Sequence, residues 1–122
     1  MYSKAQTFGD LETAEKILKE SNPVTQKMLG KNVKNFDERL WKERNLAIMK
    51  KGLTAKFTQN QYLKDFLGKT GTNTLLEANK HDRYWGIGMG LYDQKIWIRN
   101  SWVGKGENHL GRLLMDIRRE LK

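Results

Sequence analysis

At 122 residues, with 38% hydrophobic and 30% charged side chains, the chain is long enough to bury a core of its own and too apolar for the disordered class. It has no cysteine, which excludes disulfides, thiol nucleophiles and thiolate metal sites together and fits a reducing, cytoplasmic setting. A formal charge of +9 attracts phosphates, nucleotides or nucleic acid, while no apolar run reaches the ~18 residues of a membrane span.

Met1, Tyr2, Ala5 and Phe8 have the spacing of a helix face. Asp10 is expected to cap the next helix, in which Leu11, Ala14, Ile17 and Leu18 recur at three- and four-residue spacing. Asn22-Pro23 stops it, and Pro23 opens a short helix through Met28 and Leu29 with Gly30 as its C′ residue. The longest helix is expected after Asp37, with Leu40, Trp41, Leu46, Ala47, Ile48 and Met49 as its apolar face and Gly52 as an interruption. Leu53, Phe57, Tyr62, Leu63, Phe66 and Leu67 carry helical spacing on to Gly68 and Gly71. Leu75-Leu76 has the makings of a buried strand or a helix end, and Lys95–Arg99 reads as a strand or an inserted loop. Asn108 then caps a last helix striped by Leu110, Leu113, Leu114, Ile117 and Leu121. The pattern predicts one compact, mainly α domain over residues 1–122, α+β only through a few short strands.

The chemistry concentrates between Glu77 and Gly88, read as EANKHDRYWGIG. Two carboxylates (Glu77, Asp82), His81, Arg83 and the rings of Tyr84 and Trp85 fall within nine positions, followed by Gly86, Gly88 and Gly90. Burying that many ionisable groups costs several kcal/mol each unless they are paired. Carboxylates beside a flat ring, on a backbone free to bend closely, would hold a polar ligand that contains a ring. The plainer alternative makes Asp82 a helix N-cap, Trp85 a half-buried core residue and Gly86 and Gly88 turn residues. Two imidazoles, His81 and His109, make a catalytic zinc site improbable, and the residues call for no metal and no cofactor.

Taken together, the motifs resemble the YbiA-like family, also called NADAR. They are Lys4-Ala5 and Phe8; Ile17-Leu18; Pro23; Lys27-x-Leu29-Gly30; Trp41; Ile48-Met49; Lys56-Phe57-x-x-Asn60; Leu67-x-x-Thr70-Gly71; Leu76-Glu77-Ala78; Asp82-x-x-Trp85-Gly86-Ile87-Gly88; and Asn108-x-x-Gly111-x-Leu113-Leu114-Met115-x-x-Arg118. The resemblance spans nearly the whole chain. It implies a compact multihelical fold and cleavage of N-glycosidic bonds, in phosphoribosylated riboflavin-pathway intermediates or in ADP-ribose linked to a nucleobase. It implies that Trp41, Asp82 and Trp85 belong to the site. A family Glu upstream of the Lys-Ala pair has no counterpart, so the domain is expected to be incomplete at its N-terminus, prone to association or homodimer formation, and weakened in activity.

Ribosyl C–N cleavage passes through a cation at the anomeric carbon. That chemistry makes Asp82 the expected stabiliser, Glu77 a second acid or the partner of a cation, and Trp41 and Trp85 stacking surfaces. Lys4, Arg83 and Arg118 are candidates for a substrate phosphate, and Gly86, Gly88 and Asn108 complete the expected binding set. The substrate is then a ribosyl phosphate or ADP-ribose compound, with ADP-ribosylated nucleic acid as a further partner. Two other readings stand beside it: a module that binds ADP-ribose or a nucleotide without turnover, and a nucleic-acid-binding protein using the +9 surface.

Overall fold

The beginning of the chain is organised by the Asp10 carboxylate. In the computed structural model, which describes residues 1–98 and 100–122, Asp10 Oδ2 accepts from the Lys34 N–H at 2.9 Å and Oδ1 from the Thr13 N–H at 3.1 Å. One side chain caps a helix and ties down a distant loop. The bond from Lys34, then that from Thr13, holds its carboxyl below the usual carboxylate range.

Around it lie α1 (Tyr2–Thr7), α2 (Leu11–Lys19) and α3 (Pro23–Lys31). Ala5, Ala14, Ile17 and Val33 form the core, with Phe8 and Leu29 packed against it. The expected stripe of α2 splits: Ala14 and Ile17 are buried, whereas Leu11 and Leu18 are 70% and 69% exposed. Pro23 opens α3, and the Asn22 side chain accepts from the Val24 N–H at 2.9 Å. Gly30 is not the residue beyond the helix end. It stays helical and buried because the Met1 side chain packs where a Cβ would stand, and Asn32 ends the helix instead.

The long helix α4 (Glu38–Gln59) runs through Gly52 without a break. A lone glycine costs ~1 kcal/mol against alanine, too little to stop a helix that continues favourably on both sides. The break falls at Asn60, whose Oδ1 accepts from the Leu63 N–H at 3.2 Å and so starts α5 (Gln61–Lys69). Leu40, Trp41, Leu46, Ile48 and Met49 are half-buried, Ala47 is exposed, and the fully buried residue of α4 is Asn45. The chain divides into two compact units, Met1–Met49 and Lys50–Lys122, with α4 running from one into the other.

In the second unit α6 (His109–Glu120) packs on α5, and Leu67, Ile87, Met89 and Ile117 are its buried apolar residues. The fold is mainly α, but the expected short strands are absent among the described residues. Leu75 and Glu77 lie in no strand, and a side chain, that of Asn108, takes up the Leu75 carbonyl and the Glu77 N–H. Gln94–Trp97 forms a 3₁₀ turn: the Asp93 side chain accepts from the Lys95 N–H at 2.9 Å, the backbone bonds locally from Ile98 N–H to the Lys95 carbonyl at 3.0 Å, and Trp97 is 80% exposed. Arg99, the last residue of that expected strand, lies outside the described residues. No helix among the described residues is long and apolar enough to cross a membrane.

Candidate functional site

Asp82 makes a tight turn rather than a helix cap. Its Oδ1 accepts from the Tyr84 N–H at 3.0 Å and the Trp85 N–H at 2.8 Å, while its carbonyl accepts from the Gly88 N–H at 3.1 Å. Oδ2 has no hydrogen-bond partner among the described residues, and the side chain is half-buried. A short polar side chain bonding backbone two and three residues on is the usual reason for Asp in such turns. Here it fixes one carboxylate oxygen and leaves the other without a hydrogen bond among the described residues.

The turn closes on Glu77, whose carbonyl accepts from the Ile87 N–H at 3.0 Å. Gly86 sits where a Cβ would stand 2.8 Å from the Asp82 carbonyl oxygen and 2.9 Å from that of Glu77. Gly88 has a φ of 72°, and a Cβ there would meet the Lys105 carbonyl oxygen at 2.8 Å. The sequence suggested glycines that bend around a ligand. What they admit is the protein's own backbone.

The start of α6 holds this loop. The Glu107 N–H donates to the Arg83 carbonyl at 2.8 Å, Asn108 to Gly86 at 3.0 Å, His109 to Tyr84 at 3.1 Å and Leu110 to Trp85 at 3.1 Å. Donors that a helix N-terminus leaves open, and that often hold anions, are thus taken by loop carbonyls. Asn108 is at the N-cap position but does not cap with its side chain, as the sequence had suggested. Its φ of 53° turns the side chain away from its own helix. Oδ1 accepts from the Glu77 N–H and Nδ2 donates to the Leu75 carbonyl, both at 2.9 Å. Asn108 is therefore committed to holding the segment that carries Glu77.

Three rings gather on this loop. Tyr84 and Trp85 meet edge to face at 5.0 Å, and the His109 ring lies 4.6 Å from Tyr84 and 6.4 Å from Trp85. His109 Nε2 is 3.1 Å from Glu107 Oε2, a contact in which the ring N–H donates to the carboxylate. Sequence reading missed His109 as a member of the site. Its only signal was a ring placed at the start of the helix that follows a Tyr-Trp pair. Arg83 is exposed, and Glu77 is half-buried with no partner for its carboxylate among the described residues.

Trp41 and Lys4 belong to the first unit. Phe8 stands between Phe36 at 5.2 Å and Trp41 at 6.3 Å, and the Lys4 ammonium lies 4.5 Å from the Phe36 ring centre. Burial lowers the pKa of the Lys4 amine. Arg118 stands apart from the loop. It is nine residues beyond His109 on α6, roughly 14 Å along the axis at the α-helical rise, with Nη1 donating to Thr70 Oγ1 at 2.8 Å. The loop thus brings together Glu77, Asp82, Arg83, Trp85, Gly86, Gly88 and Asn108, and Arg118 occupies the other end of the helix.

The family model of the NADAR domain matches residues 1–122. The chain is 37% identical to protein irg-1 of Caenorhabditis elegans over 99% of its length and 57% of the nematode protein. It is 38% identical to N-glycosidase R617 of Acanthamoeba polyphaga mimivirus, over 98% of the chain and 69% of the relative. It is 33% identical to N-glycosidase YbiA of Shigella boydii, over 98% of the chain and 67% of the relative. The chain accordingly spans between about half and two thirds of these relatives. With the Asp82–Gly88 turn in place and the whole chain matched, the protein belongs to the NADAR domain family.

Proposed function

We propose that the chain hydrolyses the bond between a ribosyl anomeric carbon and a heterocycle nitrogen, in phosphoribosylated riboflavin-pathway intermediates or in ADP-ribose-linked nucleobases. Two of the relatives bear the name N-glycosidase, which supports the reaction class. The observation that carries the reading is the Asp82 carboxylate, with Oδ1 fixed by two N–H groups and Oδ2 without a hydrogen-bond partner among the described residues, three positions from Trp85.

Cleavage of the C–N bond builds positive charge at the anomeric carbon. A carboxylate already oriented, and without an ion pair among the described residues, stabilises that charge without reorganising. Water then adds its oxygen to the carbon, and its proton leaves with the departing nitrogen. Glu77 is the second carboxylate, suited to carry that proton. Trp85, with Tyr84 and His109, offers a ring surface for the heterocycle. Arg83 supplies a cation for the phosphate.

The test is release of free base from a phosphoribosylated pyrimidine and from an ADP-ribose–nucleobase conjugate, followed chromatographically. Turnover of one of them is expected. Trp85→Ala should raise KM by about 5- to 150-fold, the scale of base–aromatic stacking, whereas Trp85→Phe should retain most of the affinity. Neither substrate releasing base, or Trp85→Ala leaving KM unchanged, would remove the reading.

A further inference from the structure

We propose that the pocket between the C-terminal ends of α5 and α6 binds a diphosphate-type oxyanion, separately from the Asp82 loop. The pocket has a volume of 490 Å³ and is lined by Lys64, Asp65, Lys69, Arg118 and Lys122, with Leu67, Gly68 and Leu121. That volume lies within the range of small-molecule sites. Four of the lining side chains are cationic and one is anionic.

Arg118 is the unusual member, being a guanidinium only 8% exposed. Nη1 donates to Thr70 Oγ1, but no carboxylate lies within ion-pair distance of Arg118 among the described residues. The carboxylates of α6 are engaged elsewhere: Asp116 pairs with Arg119, and Glu120 pairs with Lys50 at 2.8 Å. Asp65, the one acid of the pocket, is exposed and accepts from Gln61 at 2.8 Å.

A structural explanation accounts for part of this. Thr70 ends α5, and the negative end of that helix offsets some of the Arg118 charge. A helix dipole does not call for the three lysines of the rim, which repel one another and Arg118 when the pocket is empty. An oxyanion answers all four. The guanidinium provides a planar fork for two oxygens, and the lysines act as mobile point charges for the rest. Two linked phosphates suit this better than one, given the number of cations. The roughly 14 Å along α6 keeps the pocket distinct from the reaction site proposed above.

The test uses the 122-residue chain at low salt, titrated with inorganic pyrophosphate and followed by amide NMR shifts and calorimetry. Saturable shifts are expected over 64–70 and 116–122. Lys69→Gln combined with Lys122→Gln should weaken binding about tenfold or more, and Arg118→Lys, which keeps the charge but loses the fork, should also weaken it. Lys16→Gln with Lys19→Gln on α2, an equal change of charge, should alter it less than about threefold. Should Arg118→Lys fail to fold, the lysine pairs still decide the matter. A second titration uses ADP-ribose. Displacement of pyrophosphate from the same amides makes the ligand the diphosphate of a nucleotide, and simultaneous binding makes it a free oxyanion; either supports the site. No shifts, shifts spread without saturation over the whole basic surface, or equal weakening by the α2 pair would overturn it.

Discussion

Each unit of the molecule hangs on one buried polar residue at the start of a helix, and the two residues work differently. Asp10 and Asn108 are each 6% exposed, and each links a helix start to backbone more than twenty positions away. Asp10 both caps α2 and reaches Lys34. Asn108 leaves its own helix to the loop carbonyls, adopts a left-handed backbone, and uses both amide atoms on Leu75 and Glu77. A charged residue thus fixes a fold in the first unit. In the second a neutral one fixes a loop that carries two carboxylates, Glu77 and Asp82.

The comparison is broken most severely at Asn108. Asn108→Ala leaves the Leu75 carbonyl and the Glu77 N–H without partners and puts alanine at a positive φ. A loss of about 3 kcal/mol or more is expected in denaturant melts. Asn108→Asp, which retains the acceptor but sets an oxygen against the Leu75 carbonyl, should fall between. A loss below about 1 kcal/mol for the alanine variant would mean that the loop does not depend on this residue.

Gly86→Ala comes next, at about 2–3 kcal/mol, because the new methyl meets backbone oxygens of Asp82 and Glu77 that cannot swing aside. Gly104→Ala is the control. It has a φ of 79° but open space around a Cβ, so only the conformational cost of about 1 kcal/mol is expected. Equal effects would show that crowding at Gly86 is not what holds the turn.

Asp10→Asn sharpens the difference of charge. At neutral pH the variant keeps an acceptor for Thr13 but presents an amide to the Lys34 N–H, and its Tm should fall by roughly 5 °C. The folded carboxyl titrates below its unfolded value of ~3.9, so its stabilisation is present above that pH and is lost as pH falls through the folded value. The gap in Tm between wild type and variant should therefore narrow below about pH 4. A gap that stays constant down to pH 2 would contradict the assigned role. The smallest effect belongs to Trp97→Ala, within about 0.5 kcal/mol, since that ring is 80% exposed on a turn outside both networks.

What was legible in the sequence was local. Asp10 and Pro23 mark helix starts by chemistry that acts within three residues, and the structure bears these out, while Asn22, read only as a stop, also caps the helix that Pro23 opens. Gly52 and Gly30 misled for the same reason: a glycine signals a break only where nothing nearby outweighs it. Asn60, seen only as part of a motif, has an ordinary cap geometry and was the true break. The cluster from Glu77 to Trp85 could be found because its residues are neighbours in the chain. The role of Asn108 could not, because its partners lie 31 and 33 positions away and its local context is that of a plain cap. Arg118 was grouped with the phosphate ligands by type alone, whereas helical geometry sets it at the opposite end of α6 from the loop.

The most direct measurement is the steady-state turnover of Asp82→Asn beside its melting temperature. Asparagine retains an Oδ1 that accepts from the Tyr84 and Trp85 N–H groups, so the turn should survive and Tm should change by only a few degrees, about 1 kcal/mol or less. What is lost is the charge on the other oxygen. Base release should fall by at least ~100-fold, the lower end for a positioned acid–base group. Turnover equal to wild type, or a collapse in Tm with activity per folded molecule preserved, would contradict the account and return Asp82 to the role of a turn residue.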